Sequence, residues 1–191
     1  TVGGAGTLTL SGVISDGGGA FALTKTGAGT VTLSGAGSNT YSGLTTVNAG
    51  TLKLNKTAGV DAIAGNLTVT AGSAVLQAGN QINNGSTVTV SGGTLDIGAN
   101  SDTVNAVSLT TNGNIIGSGG TLTSTTAFDL QSGTVSAILA GTAGANKTGL
   151  ATDTVTLSGA NTYTGATTVS AGTLSVANAG ALNAGSSLVI N

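Results

Sequence analysis

The chain has 191 residues, and only 5% of them are charged: four lysines face six aspartates, which gives a formal net charge of −2. An ordinary soluble domain is about one-quarter charged. Arg, Glu, His, Cys, Met, Trp and Pro are all absent, which excludes imidazole catalysis, thiolate nucleophiles, zinc clusters, disulfides and the basic surface that nucleic acids require.

Short runs of alternating aliphatic and hydroxyl residues recur along the whole chain. Such alternation places aliphatic side chains on one face of a strand and threonines on the other, while frequent glycine and β-branched residues disfavour helices. No apolar run approaches the roughly 18 residues that span a bilayer as a helix. The sequence therefore predicts an all-β segment that does not span a membrane, with strands that include Thr7–Leu10, Thr30–Leu33, Leu67–Val69, Thr87–Val90 and Thr154–Leu157.

A long internal repeat is present. Lys25–Gly27 recurs about 122 residues later as Lys147–Gly149, and Tyr41–Gly43 recurs at the same offset as Tyr163–Gly165. A slip of two residues at 150–153 separates some of the other matching positions. We predict one β-helix segment, 1–191, which holds about one and a half repeat copies: 23–144, and the start of a second at 145–191. We also expect the chain to be an internal or processed piece of a longer protein.

A shorter repeat of about 20 residues lies inside the long one. Each copy of the short repeat, here called a rung, has a glycine at the same position. The last interval between these glycines is about twice as long as the others and counts as two rungs, and Gly29 and Gly12 extend the series backwards. A fixed period in this range is typical of a solenoid, and glycine suits the bend between two short strands. The shared glycines are Gly50, Gly72, Gly93, Gly113, Gly133 and Gly172.

Residues at equivalent positions of successive rungs form columns, and the residues of one column are similar in polarity. The residue three before the glycine and the residue two after it are mostly apolar and are predicted to face inward, whereas the residue two before it is always polar. These columns predict a parallel β-helix of about 20 residues per rung with nine to ten rungs; a β-sandwich, the rival fold, would not keep them aligned. The first column is Val47, Val69, Val90, Thr110, Leu130 and Val169; the second is Leu52, Ala74, Leu95, Ile115, Val135 and Leu174.

Two segments, Leu23–Leu54 and Thr154–Leu174, closely resemble the autotransporter-associated β-strand repeat of bacterial passenger domains and large surface adhesins. They depart from it at an insertion, Gly37–Ser38, and at the link Leu150–Asp153. The resemblance implies a right-handed β-helix stalk on the bacterial cell surface or outside the cell, on the outer surface of a Gram-negative organism. It implies no catalytic residues.

Few residues are candidates for a site. Asp16, Asp96 and Asp102 lie in or beside Gly- and Asn-containing loops, and such oxygens suit calcium; the alternative is that they cap turns. β-Helical lyases and hydrolases need clustered carboxylates, and here the aspartates are scattered. No catalytic residue and no cofactor is predicted, apart from the calcium hypothesis.

The aromatic and amide residues of the long repeat have two interpretations. Tyr41 and Tyr163 are predicted to pack over a turn, with a sugar-stacking platform as the alternative. Asn39 and Asn161 are predicted to hold that turn through bonds from side chain to backbone, with Gly43 and Gly165 completing the motif. Phe21 and Phe128 are expected at a corner of the core.

Two functions remain open. The first is a structural stalk or fibre segment whose partners are neighbouring copies of the same repeat, stacked end to end, because an uncapped solenoid end is a template for another strand. The second is an adhesin module that binds a glycan or a partner protein on the surface of the rod.

Overall fold

The computed structural model describes residues 1–183 and 185–191, which contain strands and turns and no helix. Hence there is no helix in that part of the chain that could cross a membrane. The strands, numbered β1 to β21 in chain order, form three sheets in which all paired strands are parallel.

Two sheets run the whole length of the molecule, and a third covers three rungs. Sheet 1 consists of β1 (Thr7–Leu10), β3 (Thr30–Gly35), β5 (Thr51–Lys56), β7 (Ser73–Leu76), β9 (Thr94–Gly98), β12 (Gly113–Gly117), β15 (Gly133–Val135), β18 (Thr154–Leu157) and β20 (Thr173–Val176). Sheet 2 consists of β2 (Leu23–Lys25), β4 (Thr45–Val47), β6 (Leu67–Val69), β8 (Thr87–Ser91), β11 (Ala106–Thr110), β14 (Phe128–Leu130), β17 (Ala145–Lys147), β19 (Thr167–Val169) and β21 (Leu188–Ile190). Sheet 3 consists of β10 (Ser101–Val104), β13 (Thr121–Ser124) and β16 (Ile138–Ala140).

The chain winds between these sheets as a β-solenoid of about nine turns with about 21 residues per turn, which confirms the predicted fold class. At about 4.8 Å per rung, the nine rungs make a rod roughly 40 Å long. Aliphatic side chains stack in its interior: Leu52, Ala74 and Leu95 lie one above the other in sheet 1 and are fully buried. The core is a row of stacked layers.

The predicted inward columns hold at most rungs and fail at one. Thr110 lies opposite Ser91 and faces outward, whereas Leu109 lies opposite Val90 and is buried. The corner after β11 is one residue longer than the corners stacked directly beside it, after β8 and β14, and two of its residues, Thr111 and Asn112, have positive φ. The alignment assumed corners of equal length, and therefore chose the wrong residue.

The register of the strands differs from the predicted alignment at two further points. Thr30 pairs with Thr7, so Gly6 is the counterpart of Gly29; the backward extension to Gly12 was wrong. Val155 lies opposite Gly133, because the two-residue slip at 150–153 moves the register of β18. Both differences arise in connections, where the alternation of side chains gives no information.

Candidate functional site

Three lysines, Lys25, Lys56 and Lys147, have buried side chains whose amines are bound by backbone carbonyls. Lys25 Nζ donates to the carbonyl oxygens of Gly27 (2.7 Å) and Ala49 (3.1 Å). These acceptors sit on two successive rungs. Desolvation lowers the pKa of the Lys147 and Lys56 amines. Because each of the three amines bonds to a carbonyl of another rung, the buried lysines tie rungs together.

Lys147 repeats the bonds that Lys25 makes to the Thr26 and Ala49 carbonyls one long repeat later. Its Nζ donates to the carbonyl oxygen of Ala171 at 3.0 Å, and to that of Thr148, the residue that follows it. In both copies of the Lys-Thr-Gly motif, the lysine amine therefore bonds to the residue that follows it and to the next rung.

Asn39 and Asn161 each join three rungs. Oδ1 of Asn39 accepts from the Ile14 amide at 2.9 Å, and Nδ2 donates to the Ala62 carbonyl at 2.8 Å. Asn161 likewise accepts from the Leu139 amide at 2.8 Å and donates to a carbonyl of the following rung. The sequence suggested bonds within one turn; the structure has them between turns.

Tyr41 and Tyr163 are buried, with 1% and 0% of their surface exposed. Each hydroxyl bonds to the threonine four residues later, Thr45 at 2.7 Å and Thr167 at 2.8 Å. Burial raises the pKa of Tyr41 to about 12. A sugar ring has no access to either tyrosine, so they do not form the stacking platform considered above.

The two phenylalanines occupy different environments. Phe128 is buried, with its ring centroid 6.2 Å from that of Tyr163, as predicted. Phe21 is 70% exposed and packs against Gly19 of its own loop, so its assignment to the core was wrong. It stands on the glycine-rich connection between β1 and β2, outside the stacked layers.

The shared glycines lie where backbones of successive rungs touch. A Cβ on Gly72 would collide with the carbonyl oxygen of Gly50, and that carbonyl accepts the Ser73 amide at 2.8 Å. Positive φ occurs at four of the shared glycines, and Gly93 and Gly113 are not among them. Close contact between rungs is thus the more general reason for glycine here. Gly43 and Gly165 are crowded by backbone in the same way.

The three calcium candidates do not come together. Asp16 accepts from the Ser42 amide at 2.8 Å, and this bond lowers its pKa. Asp96 caps its own turn by accepting from the Gly98 amide at 2.9 Å. Asp102 faces inward and is 1% exposed. Within residues 1–183 and 185–191, no three acidic side chains lie close enough together to hold a metal ion.

Asp102 belongs to a buried polar row that the sequence pattern did not reveal. Its Oδ2 accepts from the amides of Gln81 (2.8 Å) and Ile82 (3.1 Å), while Oδ1 is buried without a hydrogen-bond partner. Desolvation raises its pKa to about 6. One signal could have located it: Val104 is an inward residue of the same strand, and alternation places Asp102 on the same side.

Gln81 continues this row toward the first rungs. Its Oε1 accepts from the Lys56 amide at 2.8 Å, and its Nε2 donates to the Gly79 carbonyl at 3.2 Å. Lys56, Gln81 and Asp102 thus each make hydrogen bonds with the backbone of another rung. These bonds hold the turns in place.

Comparison with known proteins gives a consistent picture. The family model described as passenger-associated-transport-repeat matches residues 23–54 and 147–176. A curated relative, the "Adhesin BmaC autotransporter" of Brucella suis biovar 1 (strain 1330), is 36% identical over 175 residues, which cover 91% of this chain. The chain spans 4% of the length of that relative. None of the solved structures matches it.

Proposed function

The chain carries two passenger-associated-transport repeats, and from this premise we propose that it is a rigid, non-catalytic spacer in a large bacterial repeat protein on the cell surface or secreted from it. The observation that carries the proposal is the pair of parallel ladders, which continue through nine strands each without interruption. Stacked rungs resist bending because every internal rung is bonded to both neighbours over two sheets. Such a body holds whatever lies beyond it at a fixed distance.

The contacts of the buried polar residues support this role. Each of the side chains of Lys25, Asn39 and Asn161 bonds to backbone of more than one rung. Lys25 and Lys147, like Tyr41 and Tyr163, repeat their contacts from one copy to the next. A protein that extends by repetition needs this, because each added copy then brings its own ties.

Imaging of lengthened chains tests the proposal. Chains with one, two and four added copies of residues 23–144 should form rods that lengthen by about 30 Å per copy, since each copy adds about six rungs. Negative-stain electron microscopy measures the length directly. Globules whose diameter grows in all directions, or copies joined by flexible kinks, would overturn the proposal.

A second function, adhesion, is favoured by the name of the curated relative, which is an adhesin. In this alternative the outward face of the rod binds a glycan or a partner protein. A glycan array probed with the folded chain tests it, with a heat-unfolded sample as control. Binding of a defined glycan by the folded chain alone supports adhesion by this segment; an array without signal contradicts glycan binding.

The partners that the spacer role requires are neighbouring copies of the same repeat, stacked end to end and extending into a filament. The proposal assigns no cofactor, and calcium is not needed for the ladders. Removing calcium with a chelator should leave the circular dichroism spectrum and the melting temperature unchanged; a lower melting temperature would show that an ion contributes.

A further inference from the structure

A polar recess opens on the side of the rod, where a longer connection is followed by a shorter one. The connection between β7 and β8 spans residues 77–86, whereas the one between β9 and β11, which contains β10, spans residues 99–105. Rungs continue on both sides of the recess, with β3 before it and β12 after it in sheet 1. It is therefore a feature of the lateral surface and not of an end of the rod.

The recess has a volume of about 460 Å³, and sites for small molecules commonly measure about 300–1,000 Å³. Three successive rungs contribute to its lining, so its shape depends on how they stack. The residues that line it are Gly59, Asp61, Asn80, Asn83, Asn84 and Thr103.

Two of these side chains hold each other in place. Asn83 Nδ2 donates to Asp61 Oδ2 at 2.8 Å, and Asn83 Oδ1 accepts from the Gly85 amide at 2.9 Å. Both residues are half-buried and belong to successive rungs. Polar groups that are already positioned lose little freedom when a ligand binds to them, so this part of the recess is preorganised.

The other polar groups of the recess are not used by the fold. In the part of the chain that the structure describes, the side-chain amides of Asn80 and Asn84, the Thr103 hydroxyl and Asp61 Oδ1 make no hydrogen bond to the protein. A carboxamide and a hydroxyl each donate and accept, and a carboxylate accepts. The recess therefore suits a ligand that is rich in both donors and acceptors.

The backbone fixes the position of Asn80 at the rim. Its φ is +51°, a left-handed conformation that asparagine adopts more readily than most residues. Its amide donates to the Ser101 carbonyl at 2.9 Å. Glycine also suits this conformation, so the carboxamide can be removed here without straining the chain.

The long repeat indicates that the Asp61 side chain is not needed to build the rod. Asn39 and Asn161 donate to equivalent alanines, and the residue before that alanine is Asp61 in the first copy and Gly180 in the second. The asparagines that tie rungs together thus recur, whereas the carboxylate of the recess does not.

The charge of the recess is negative. Asp61 lines it, and none of the lining residues is a lysine. Asp102 precedes Thr103 in β10; burial is the main cause that raises its pKa to about 6, and the nearby charge of Asp61 raises it further. An anionic ligand would be repelled by these carboxylates, so the recess favours an uncharged one.

We propose that the recess binds one or two units of an uncharged sugar, with Asp61 Oδ1 accepting from a sugar hydroxyl and Asn80, Asn84 and Thr103 bonding to others. No aromatic side chain lines it, so hydrogen bonds supply the affinity and a single site binds weakly. This inference rests on adhesion, the second function proposed above, and it names the site and the class of sugar. The spacer function does not depend on it.

Titration of the isotope-labelled chain, followed by NMR, tests the proposal. The probes are uncharged disaccharides built from glucose, galactose, mannose and N-acetylglucosamine, and two acidic sugars, glucuronic acid and N-acetylneuraminic acid. We expect at least one uncharged disaccharide to shift the amide signals of residues 59–61, 80–84 and 103. The acidic sugars should leave these signals in place.

Two variants remove single groups from the recess. Asn80→Gly keeps the left-handed backbone, and Thr103→Val keeps the branched shape of the side chain in β10. Each should weaken binding of the disaccharide by about fivefold or more, because each removes a hydrogen bond. Thr123→Val is the matched control: Thr123 pairs with Thr103 in the next strand of sheet 3 and lies outside the recess, so binding should be unchanged.

The outcomes separate the site from the function. Absence of shifts at the recess with every uncharged disaccharide, equal shifts with the acidic sugars, or equal weakening by Thr103→Val and Thr123→Val overturns the inference. A glycan that binds on the array but shifts signals elsewhere contradicts only this site. Absence of binding both on the array and in solution contradicts adhesion to a glycan as well. Unchanged amide signals of β3 and β5 show that each variant is folded.

Discussion

At the scale of single residues, the polar side chains in the interior determine how the molecule responds to its surroundings. Asp102 carries a buried oxygen without a partner, whereas the buried lysines are bound by backbone carbonyls. An unsatisfied buried acceptor costs free energy, and a charged one costs more. The aspartate and the lysines should therefore respond in opposite ways to removal of their charge.

We expect Asp102→Asn to stabilise the chain at neutral pH. The folded-state pKa is about 6 and the ordinary value is 3.8, so the folded state favours the protonated carboxyl. The contribution of Asp102 to stability is then greatest below about pH 4, falls as the pH rises to 6, and stays low above 6. The variant should be more stable than the wild type at pH 7, by at most about 3 kcal/mol, and should lose this pH dependence.

Urea unfolding at pH 4 and pH 7 measures this effect. Asp96→Asn is the matched control, because Asp96 is half-buried on the outer row of β9 and caps its own turn. A wild-type unfolding free energy that does not differ between the two pH values, beyond the change seen in the control, would contradict the account of Asp102.

We expect Lys25→Met to destabilise the fold by about 1–3 kcal/mol, because it leaves the Gly27 and Ala49 carbonyls without their donor. Lys53→Met is the control: Lys53 lies on the outward row of sheet 1, where changes usually stay within about 0.5 kcal/mol. The midpoint of urea unfolding compares them. Equal shifts in the two variants would contradict a tying role for the buried amine.

At the scale of the strand and the rung, close contact between the backbones of neighbouring rungs determines which positions require glycine. We expect Gly72→Ala to destabilise the chain by more than about 2 kcal/mol, because its Cβ would collide with the Gly50 carbonyl and its φ is +68°. Gly12→Ala should be close to neutral, since a Cβ at Gly12 meets nothing within 4 Å. Thermal melts compare them, and a neutral Gly72 variant would contradict the crowding.

The sequence alone predicts most of the strands and inward-facing residues, and it fails at specific points. The inward columns were predictable because a two-residue period continues from rung to rung, as in Val88 and Val90. Sheet 3 was not predicted, because the two aligned columns lie in sheets 1 and 2. Thr110 was misplaced because corner length is decided by backbone conformation, here two positive-φ residues. The pattern does not encode that length.

The candidate site was predictable to a lesser extent. The repeat marked Lys25, Asn39 and Tyr41 as a group that recurs, and the structure shows each of them buried. What they touch could not be predicted, since each reaches a residue about 20 positions away in the chain. Asp102 was interpreted as a residue of an open loop, although its strand turns it inward.

At the scale of the whole molecule, the placement of the lysines protects the chain. Of the four sites at which trypsin could cut, Lys25, Lys56 and Lys147 are no more than 2% exposed, and Lys53 lies within a paired strand. We expect the folded chain to resist trypsin for hours at 37 °C. Electrophoresis of timed samples measures this, with urea-unfolded protein as the control, and rapid cleavage of the folded sample would contradict it.

The ladders also determine how the molecule carries a pulling force. Their hydrogen bonds point along the rod, so tension applied between its ends loads them one layer at a time. Each layer that opens releases about 21 residues, which is roughly 70 Å of extended chain. We therefore expect a rod built this way to yield in many small steps under tension and to lengthen more than tenfold before the chain is taut.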